Sequence, residues 1–123
     1  FNRFDKRILV PQKTFKDKKH IRWVSTQQCI IGQAGFYSCF GPIQSHHLLK
    51  PWNGVRGMSL KANDRNVVPL CTHHHALLHT KYGDEYKFFS SFGLKPSYGK
   101  EQAQRYWEKK ENNEIDYDND LPF

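Results

Sequence analysis

The chain has 123 residues and a net charge of +7 at neutral pH, and hydrophobic residues make up 37% of it. This length predicts one small domain, and the sequence lacks both a signal-peptide pattern and an apolar run of membrane length, which argues against a secreted or membrane protein. Three cysteines cannot all pair. We therefore expect a cytoplasmic protein with metal-bound thiolates, and a disulfide between Cys29 and Cys39 is the alternative.

The charge is distributed unevenly along the chain. Residues 111–123 hold five acidic residues and no Lys or Arg, so residues 1–110 carry a net charge of +12. A basic body of this size is typical of proteins that bind polyphosphate, because each neutralised phosphate releases a counterion. We predict DNA as a partner, and we divide the chain into a basic arm (1–22), a body (23–110) and an acidic tail (111–123).

The basic arm contains eight Lys or Arg residues against two acids. Either an extended segment that lies on the domain or on DNA, or a merely solvated lead-in, would explain this composition. In the first case, the candidates for DNA contacts are Lys13, Lys16, Lys18 and Lys19. Residues 20–24 predict a short strand or helical turn where the packed body begins.

The middle of the chain predicts a β-hairpin. Residues 43–49 and 66–70 have the length and apolar character of two strands, and the turn-rich residues 51–57 start a long connection between them. In this connection Arg56 and Trp52 are candidates for contacting DNA. Trp52 could as easily pack on the core.

Three helices are predicted after the hairpin. Their expected bounds are residue 72 or 73 to 82, residues 84–92, and about residues 100–110. Gly83 and Gly93 follow the first two helices as stops, and the acids at 84 and 85 suit a helix N-terminus. The aromatic residues of the last two helices are interpreted as core and not as a platform for stacking bases.

The segment Cys71–His79 holds four of the seven histidines and one of the three cysteines. Cys71 and His74, three residues apart at a strand-to-helix junction, have the spacing of half a structural zinc site, and Cys29 and Cys39 would supply the other half. We therefore predict a closed Cys3His site for Zn2+. His73 is the substitute for His74 if the helix begins later.

A second set of residues predicts a catalytic site. His75 and His79 are four apart and share one helix face, and His46 and His47 come from the first strand. Hydrolysis of a phosphodiester needs a base and a cation. We assign His47 as general base and His46, His75 and His79 as ligands of a divalent ion, for which Mg2+, Mn2+ and Zn2+ all stay open.

Two assignments in this set have alternatives. Neighbours in a regular strand point to opposite faces, so His46 and His47 could exchange roles, or one of them could lie outside the site. Asn66 is assigned to the catalytic set, where it would either orient the base or brace the loop through its side-chain amide. Asn63 competes with Asn66, but its polar surroundings favour a turn.

The order His, Asn, His resembles the HNH nucleases, in particular the phage recombination-enhancement nuclease Ref and the YbcO-like group. The resemblance runs from Cys29 to about Gly93 and is carried by Ser45-His46-His47-Leu48, by Gly57-Met58 and by the segment 68–79. The intervals of nine residues from Asn66 to His75 and four to His79 are also similar to those of nuclease colicins. The paired Cys-x-x-Cys of the family is absent here.

This resemblance implies an α+β fold, a small zinc-stabilised domain built around a ββα-metal (HNH) motif with extra C-terminal helices. It implies metal-dependent cutting of DNA and, for Ref-like members, an activity directed by a RecA filament in a bacterial host, with a phage-encoded protein. The alternative function is a zinc-stabilised DNA-binding recombination adaptor without turnover.

The acidic tail ends in Leu121-Pro122-Phe123 and resembles the C-terminal tip of bacterial single-stranded-DNA-binding protein. The resemblance implies docking of these three residues onto host repair proteins that recognise a terminal Phe and its carboxylate. The same tail could fold back on the basic body, or it could simply be a disordered segment that keeps a basic protein soluble.

Overall fold

The computed structural model describes residues 15–36, 38–54 and 61–111. The elements of these residues, in chain order, are α1 (Lys18–Val24), α2 (Ile30–Gln33), β1 (Ile43–His47), β2 (Val67–Cys71), α3 (Thr72–Leu77), a π-helical turn (Leu78–Tyr82), α4 (Glu85–Ser91) and α5 (Tyr98–Glu111). The protein is therefore a small α+β domain, as predicted. Among the described helices, none is long and apolar enough to cross a bilayer.

The two strands form an antiparallel hairpin in which His46 pairs with Val68 and His47 with Val67. Every residue of β2 is buried, because α1, α2, α3 and α5 all contact this strand. β1 is less buried than β2, and the residue of β1 that is fully buried is His46. The predicted hairpin is confirmed, and His46, the fourth residue of β1, contacts His75 on the helix that follows.

The first predicted helix starts where the strand ends. Cys71 is both the last residue of β2 and the N-cap of α3, and its Sγ accepts the backbone N–H of His74 at 3.4 Å. The last turn differs from the prediction, because Leu78–Tyr82 is π-helical and closes with a hydrogen bond from the Gly83 N–H to the Leu78 carbonyl. Gly83 has a φ of 65° and ends the helix as predicted.

The last two helices pack closely on each other. Asp84 caps α4 by accepting the N–H of Tyr86 at 2.7 Å. α5 begins at Tyr98, two residues earlier than predicted, and a Cβ on its second residue, Gly99, would lie only 2.6 Å from a ring carbon of Phe89. Glycine is required at this crossing because the helices could not otherwise approach.

The packed body begins with α1, which contains the helical turn predicted over residues 20–24 and extends across the domain boundary predicted at residue 23. Asp17 caps α1 by accepting the N–H of His20 at 3.1 Å, and α1 buries His20 and Trp23 while Lys18 and Lys19 are exposed. The division into arm and body follows the composition of this segment, in which lysines dominate, and so cuts through the helix. They cover the outer face of a helix whose inner face belongs to the core.

His20 is fully buried between aromatic rings, with Trp107 in an edge contact at 5.0 Å. Neither ring nitrogen has a hydrogen-bond partner among the residues that the structure describes. Burial lowers the pKa of His20 from 6.5 to about 4, nearby Lys110 lowers it further, and Asp17 and Asp64 oppose the shift. The native protein therefore contains the neutral ring.

We expect this histidine to make the folded state acid-sensitive. Above pH 6.5 the ring is neutral in both states, and between pH 6.5 and about 4 only the unfolded chain takes up the proton. The stability that His20 contributes is thus lost as pH falls through this window, by about 3 kcal/mol in total. Urea unfolding of the wild type and of His20→Leu at several pH values measures it. The free energy of unfolding of the wild type minus that of His20→Leu should rise steadily from pH 4.5 to 6.5. Parallel pH curves for the two proteins would contradict the assignment.

Candidate metal centres

Three cysteines and one histidine form a compact cluster under the start of α3. All four ligand atoms of Cys29, Cys39, Cys71 and His74 lie within 4.8 Å of one another. The Nδ1 atom of His74 is 3.2 Å from the Cys71 Sγ and 3.7 Å from the other two sulfurs. All three cysteines are free, so the alternative of a Cys29–Cys39 disulfide is not found.

The wide spacing of Cys29 and Cys39 has a structural explanation. Cys29 precedes the short helix α2, and the loop after this helix turns back so that the Cys39 sulfur lies against Gly32. A Cβ on Gly32 would be 3.1 Å from that sulfur. A helix inserted between the two cysteines thus replaces the tight knuckle of a Cys-x-x-Cys pair.

The electrostatics of this cluster favour a cation. Burial of the thiol, together with Cys29 and Cys71 beside it, raises the pKa of Cys39 to about 12. Burial also opposes ionisation of Cys71, but backbone N–H groups of His74 and Phe40 outweigh it and lower the pKa of that thiol. A Cys3His set suits tetrahedral Zn2+, whose charge would hold all three sulfurs as thiolates. The group could therefore bind a metal such as zinc.

A hydrogen bond orients the histidine of this set. The Oγ of Ser38 lies 2.9 Å from the Nε2 of His74, which leaves Nδ1 directed at the three sulfurs. Partners of this kind fix the ring of a ligating histidine in other metal proteins. His73, the predicted substitute, is exposed and is not part of the cluster.

The second cluster joins His46 of β1, His75 of α3 and His79 of the π-helical turn. The Nε2 of His75 is 3.1 Å from both the Nδ1 of His46 and the Nε2 of His79. Burial, His46 and His79 lower the pKa of His75 to about 4, and burial also lowers the pKa of His79. The unprotonated nitrogens of these rings are thus free to bind a cation at neutral pH.

Glu85, predicted only as a favourable acid at a helix N-terminus, contacts this cluster. Its Oε2 is 2.7 Å from the Nε2 of His46, and its two oxygens accept the backbone N–H groups of Leu49 at 2.6 Å and Lys50 at 2.9 Å. Because Nε2 donates to the carboxylate, the Nδ1 of His46 keeps its lone pair toward the other histidines.

The histidine cluster faces an open cavity of about 290 Å³. Its lining residues are Ser45, His46, His47, Leu48, Leu49, Lys61, His75 and His79. His46 and His47 therefore reach the same cavity although they are neighbours in a strand, and His47 is the last residue of that strand. An adjoining cavity of about 430 Å³ shares Leu49 and His79 with the first, so a groove crosses the cluster.

Asn66 braces the connection and does not contact the predicted base. Its Oδ1 accepts the N–H groups of Trp52 and Asn53 at 2.8 and 3.0 Å, and its Nδ2 donates to Asn53 and Asn63. Of the two roles left open for Asn66, the structure has the brace, so its place in the catalytic set is indirect. The partner of His47 is Asp64, at 2.7 Å.

The remaining predicted site residues contribute less here. Lys16, Lys18 and Lys19 are exposed. Trp52 is half-buried against the core, and its Nε1 donates to the carbonyl of Arg65 at 2.8 Å, which favours packing over DNA contact. Lys13, Arg56, Leu121, Pro122 and Phe123 lie outside the described residues.

Comparison with known proteins identifies the family of this chain. A family model described as "Protein of unknown function (DUF968)" matches residues 8–108. The chain belongs to this family. It is also similar to "Uncharacterized protein YdfU" of Escherichia coli strain K12, with 36% identity over 92 residues. That match covers 68% of this chain and 24% of YdfU, so the chain spans about a quarter of the relative's length. No solved structure matches.

The segment matched by the DUF968 model contains both groups of residues that could hold a metal ion. The family description states no activity.

Proposed function

We propose that this DUF968 domain is a metal-dependent HNH endonuclease that hydrolyses phosphodiester bonds in DNA. The observation that carries the proposal is the convergence of His46, His75 and His79 on an open cavity that His47 also lines. Three imidazoles that share a binding site but leave it open suit an ion with free positions for substrate and water.

The connectivity supports the same proposal. β1, β2 and α3 follow one another as a ββα unit, with the histidine pair at the end of β1 and the remaining ligands on the helix and its π-helical turn. Asn66 stands immediately before β2 and stabilises the connection, which is one of the two roles expected of the middle residue of the motif.

The residues divide the chemistry as follows. A divalent ion at the three histidines would supply positive charge to the phosphate oxygens and to the departing 3′ oxygen. His46, His75 and His79 would hold that ion in place, and Glu85 would fix the ring of His46. His47 would take the proton from the attacking water, a role that suits a histidine near neutral pH.

Charge around the groove supports a polyanionic substrate. Lys61 lines the cavity beside the histidines, and Lys50 lines the adjoining cavity. The two ammonium groups could contact phosphates on either side of the bond to be cut. RecA-directed recombination, a bacterial host and docking of the acidic tail onto repair proteins belong to the proposal through the family resemblance alone.

Cleavage of supercoiled plasmid and of single-stranded DNA by the purified protein tests the proposal. We expect cutting with Mg2+ or Mn2+, no cutting with EDTA, and rates lowered by about 100-fold to 10,000-fold in His47→Ala. His75→Ala should be inactive, and His73→Ala, which changes an exposed neighbour, should cut like the wild type. Each reaction is repeated with a RecA filament.

Two results would contradict the endonuclease. Activity that survives both His47→Ala and His75→Ala would indicate a contaminant or another site. Tight DNA binding without cutting under any metal or RecA condition would instead favour the alternative function, a zinc-stabilised DNA-binding adaptor.

A further inference from the structure

Asp64 lies in the connection between the strands, and both of its carboxylate oxygens have partners. Oδ1 is 2.7 Å from the Nε2 of His47, and Oδ2 accepts the backbone N–H of Asp17 at 2.7 Å. The side chain of Asp64 is only 15% exposed, and that of His47 is 18% exposed. A pair of mobile surface side chains contributes little fixed geometry, but here the acid is bound from both sides.

The partner of Asp64 is itself fixed in the fold. Asp17 caps α1, and its other oxygen pairs with the Nζ of Lys110 on α5 at 2.8 Å. The backbone N–H of Asp64 also donates to the carbonyl of Phe15 at 3.1 Å, and the Arg65 guanidinium lies 3.8 Å from the centre of the Phe15 ring. The connection is thus attached to elements outside the hairpin.

We propose that Asp64 is the positioning residue for the general base His47. Its carboxylate accepts the Nε2 proton, so the neutral ring keeps its lone pair on Nδ1. The orienting role that the sequence analysis allowed for Asn66 belongs to this aspartate, which sequence spacing did not single out. The inference rests on the proposed endonuclease function.

This tautomer determines where the protons go during hydrolysis and which bonds form and break. Nδ1 takes a proton from the attacking water, and the water oxygen forms a bond to phosphorus. The bond from phosphorus to the 3′ oxygen breaks, and its electron pair leaves with that oxygen, which takes a proton from solvent. The proton on Nδ1 is then released to solvent. Asp64 keeps its carboxylate throughout, as an acceptor that fixes the ring.

Asp64→Asn tests the proposal. An asparagine amide can donate to Nε2 and would favour the opposite tautomer, with the proton on Nδ1. Nitrogen-15 spectra of histidine-labelled protein at pH 8 should show the Nε2–H form of His47 in the wild type and a shift toward Nδ1–H in the variant. For plasmid cleavage, kcat should fall by about a hundredfold with KM unchanged.

Two further variants separate positioning from folding. Asp64→Glu keeps the acceptor and should retain the Nε2–H tautomer and most of the activity. Glu101→Gln, which removes one negative charge from the exposed side of α5, should change neither readout.

The results have distinct meanings. An unchanged tautomer in Asp64→Asn, or a changed tautomer with an unchanged kcat, overturns the positioning role. Glu and Asn variants that lose activity equally also overturn it, because any change at residue 64 would then suffice. If the wild type does not cut DNA, the endonuclease proposal fails, while the tautomer still reports whether Asp64 orients His47.

Discussion

Cys71→Ser is expected to abolish zinc binding and to unfold the domain near room temperature. Three separate segments supply the four residues that could bind zinc, and Cys71 joins β2 to α3, so losing this sulfur disconnects the hairpin from the α2 loop. Structural zinc contributes about 10–16 kcal/mol in isolated zinc-finger peptides. That is comparable with the whole stability of a small domain, about 5–15 kcal/mol.

Zinc content by mass spectrometry and thermal unfolding by circular dichroism measure this effect. The wild type should contain one tightly bound zinc and should lose its cooperative transition after chelation. His73→Ala is the matched control, because His73 is the exposed neighbour of a ligand and should keep both zinc and melting temperature. A Cys71→Ser protein that melts like the wild type would show that the cluster is not a structural metal site.

Glu85→Ala is expected to weaken the fold and the histidine cluster together. The substitution leaves the Nε2–H of His46 and the N–H groups of Leu49 and Lys50 without their acceptor, and the Glu85 side chain is only 3% exposed. Each buried donor that is left without its acceptor costs about 1–3 kcal/mol. Losing the partner of a ligating histidine lowers metal affinity about tenfold to a hundredfold.

Urea unfolding and calorimetric titration of Ni2+ into zinc-loaded protein measure the two effects separately. Asp84→Ala provides the control, because it removes the adjacent acid, whose bond is a helix cap worth about 1 kcal/mol. The control should lose stability without losing Ni2+ affinity. Equal Ni2+ affinity in the wild type and Glu85→Ala would mean that Glu85 serves only the fold.

The sequence predicts those parts of the site that depend on local periodicity. Histidines at positions 75 and 79 fall on one face of a helix, and Cys71 and His74 bracket a strand-to-helix junction, so their grouping follows from spacing. The hairpin is also readable from its apolar strands. Each of these inferences concerns residues that are close in sequence or that form a recognisable element.

The two acids at the histidines could not be predicted in this way. Glu85 contacts His46 although the two are 39 residues apart in sequence, and Asp64 contacts His47 from the connection between the two strands. An acid at a helix N-terminus is expected for capping alone, and nothing in its spacing shows that it points inward. These contacts depend on how α4 and the connection pack, which is a tertiary property.

The burial of His20 could not be predicted for a related reason. The sequence predicts a helical turn over residues 20–24, but the lysines before it favour an exposed arm, and His20 is completely buried. A single histidine carries little weight in a composition argument. Its burial depends on aromatic partners almost ninety residues further along the chain.

The π-helical turn has a consequence for how this gene could vary. A turn closed between residues five apart contains one residue more than an α-helical turn would need. Thr80 and Lys81 are exposed, so other side chains should be accepted there. Deleting either residue should be far more harmful, because the helix would revert to the α form and rotate Gly83 and Glu85 out of place. We expect positions 80 and 81 to accept substitutions and the turn as a whole to reject changes in length.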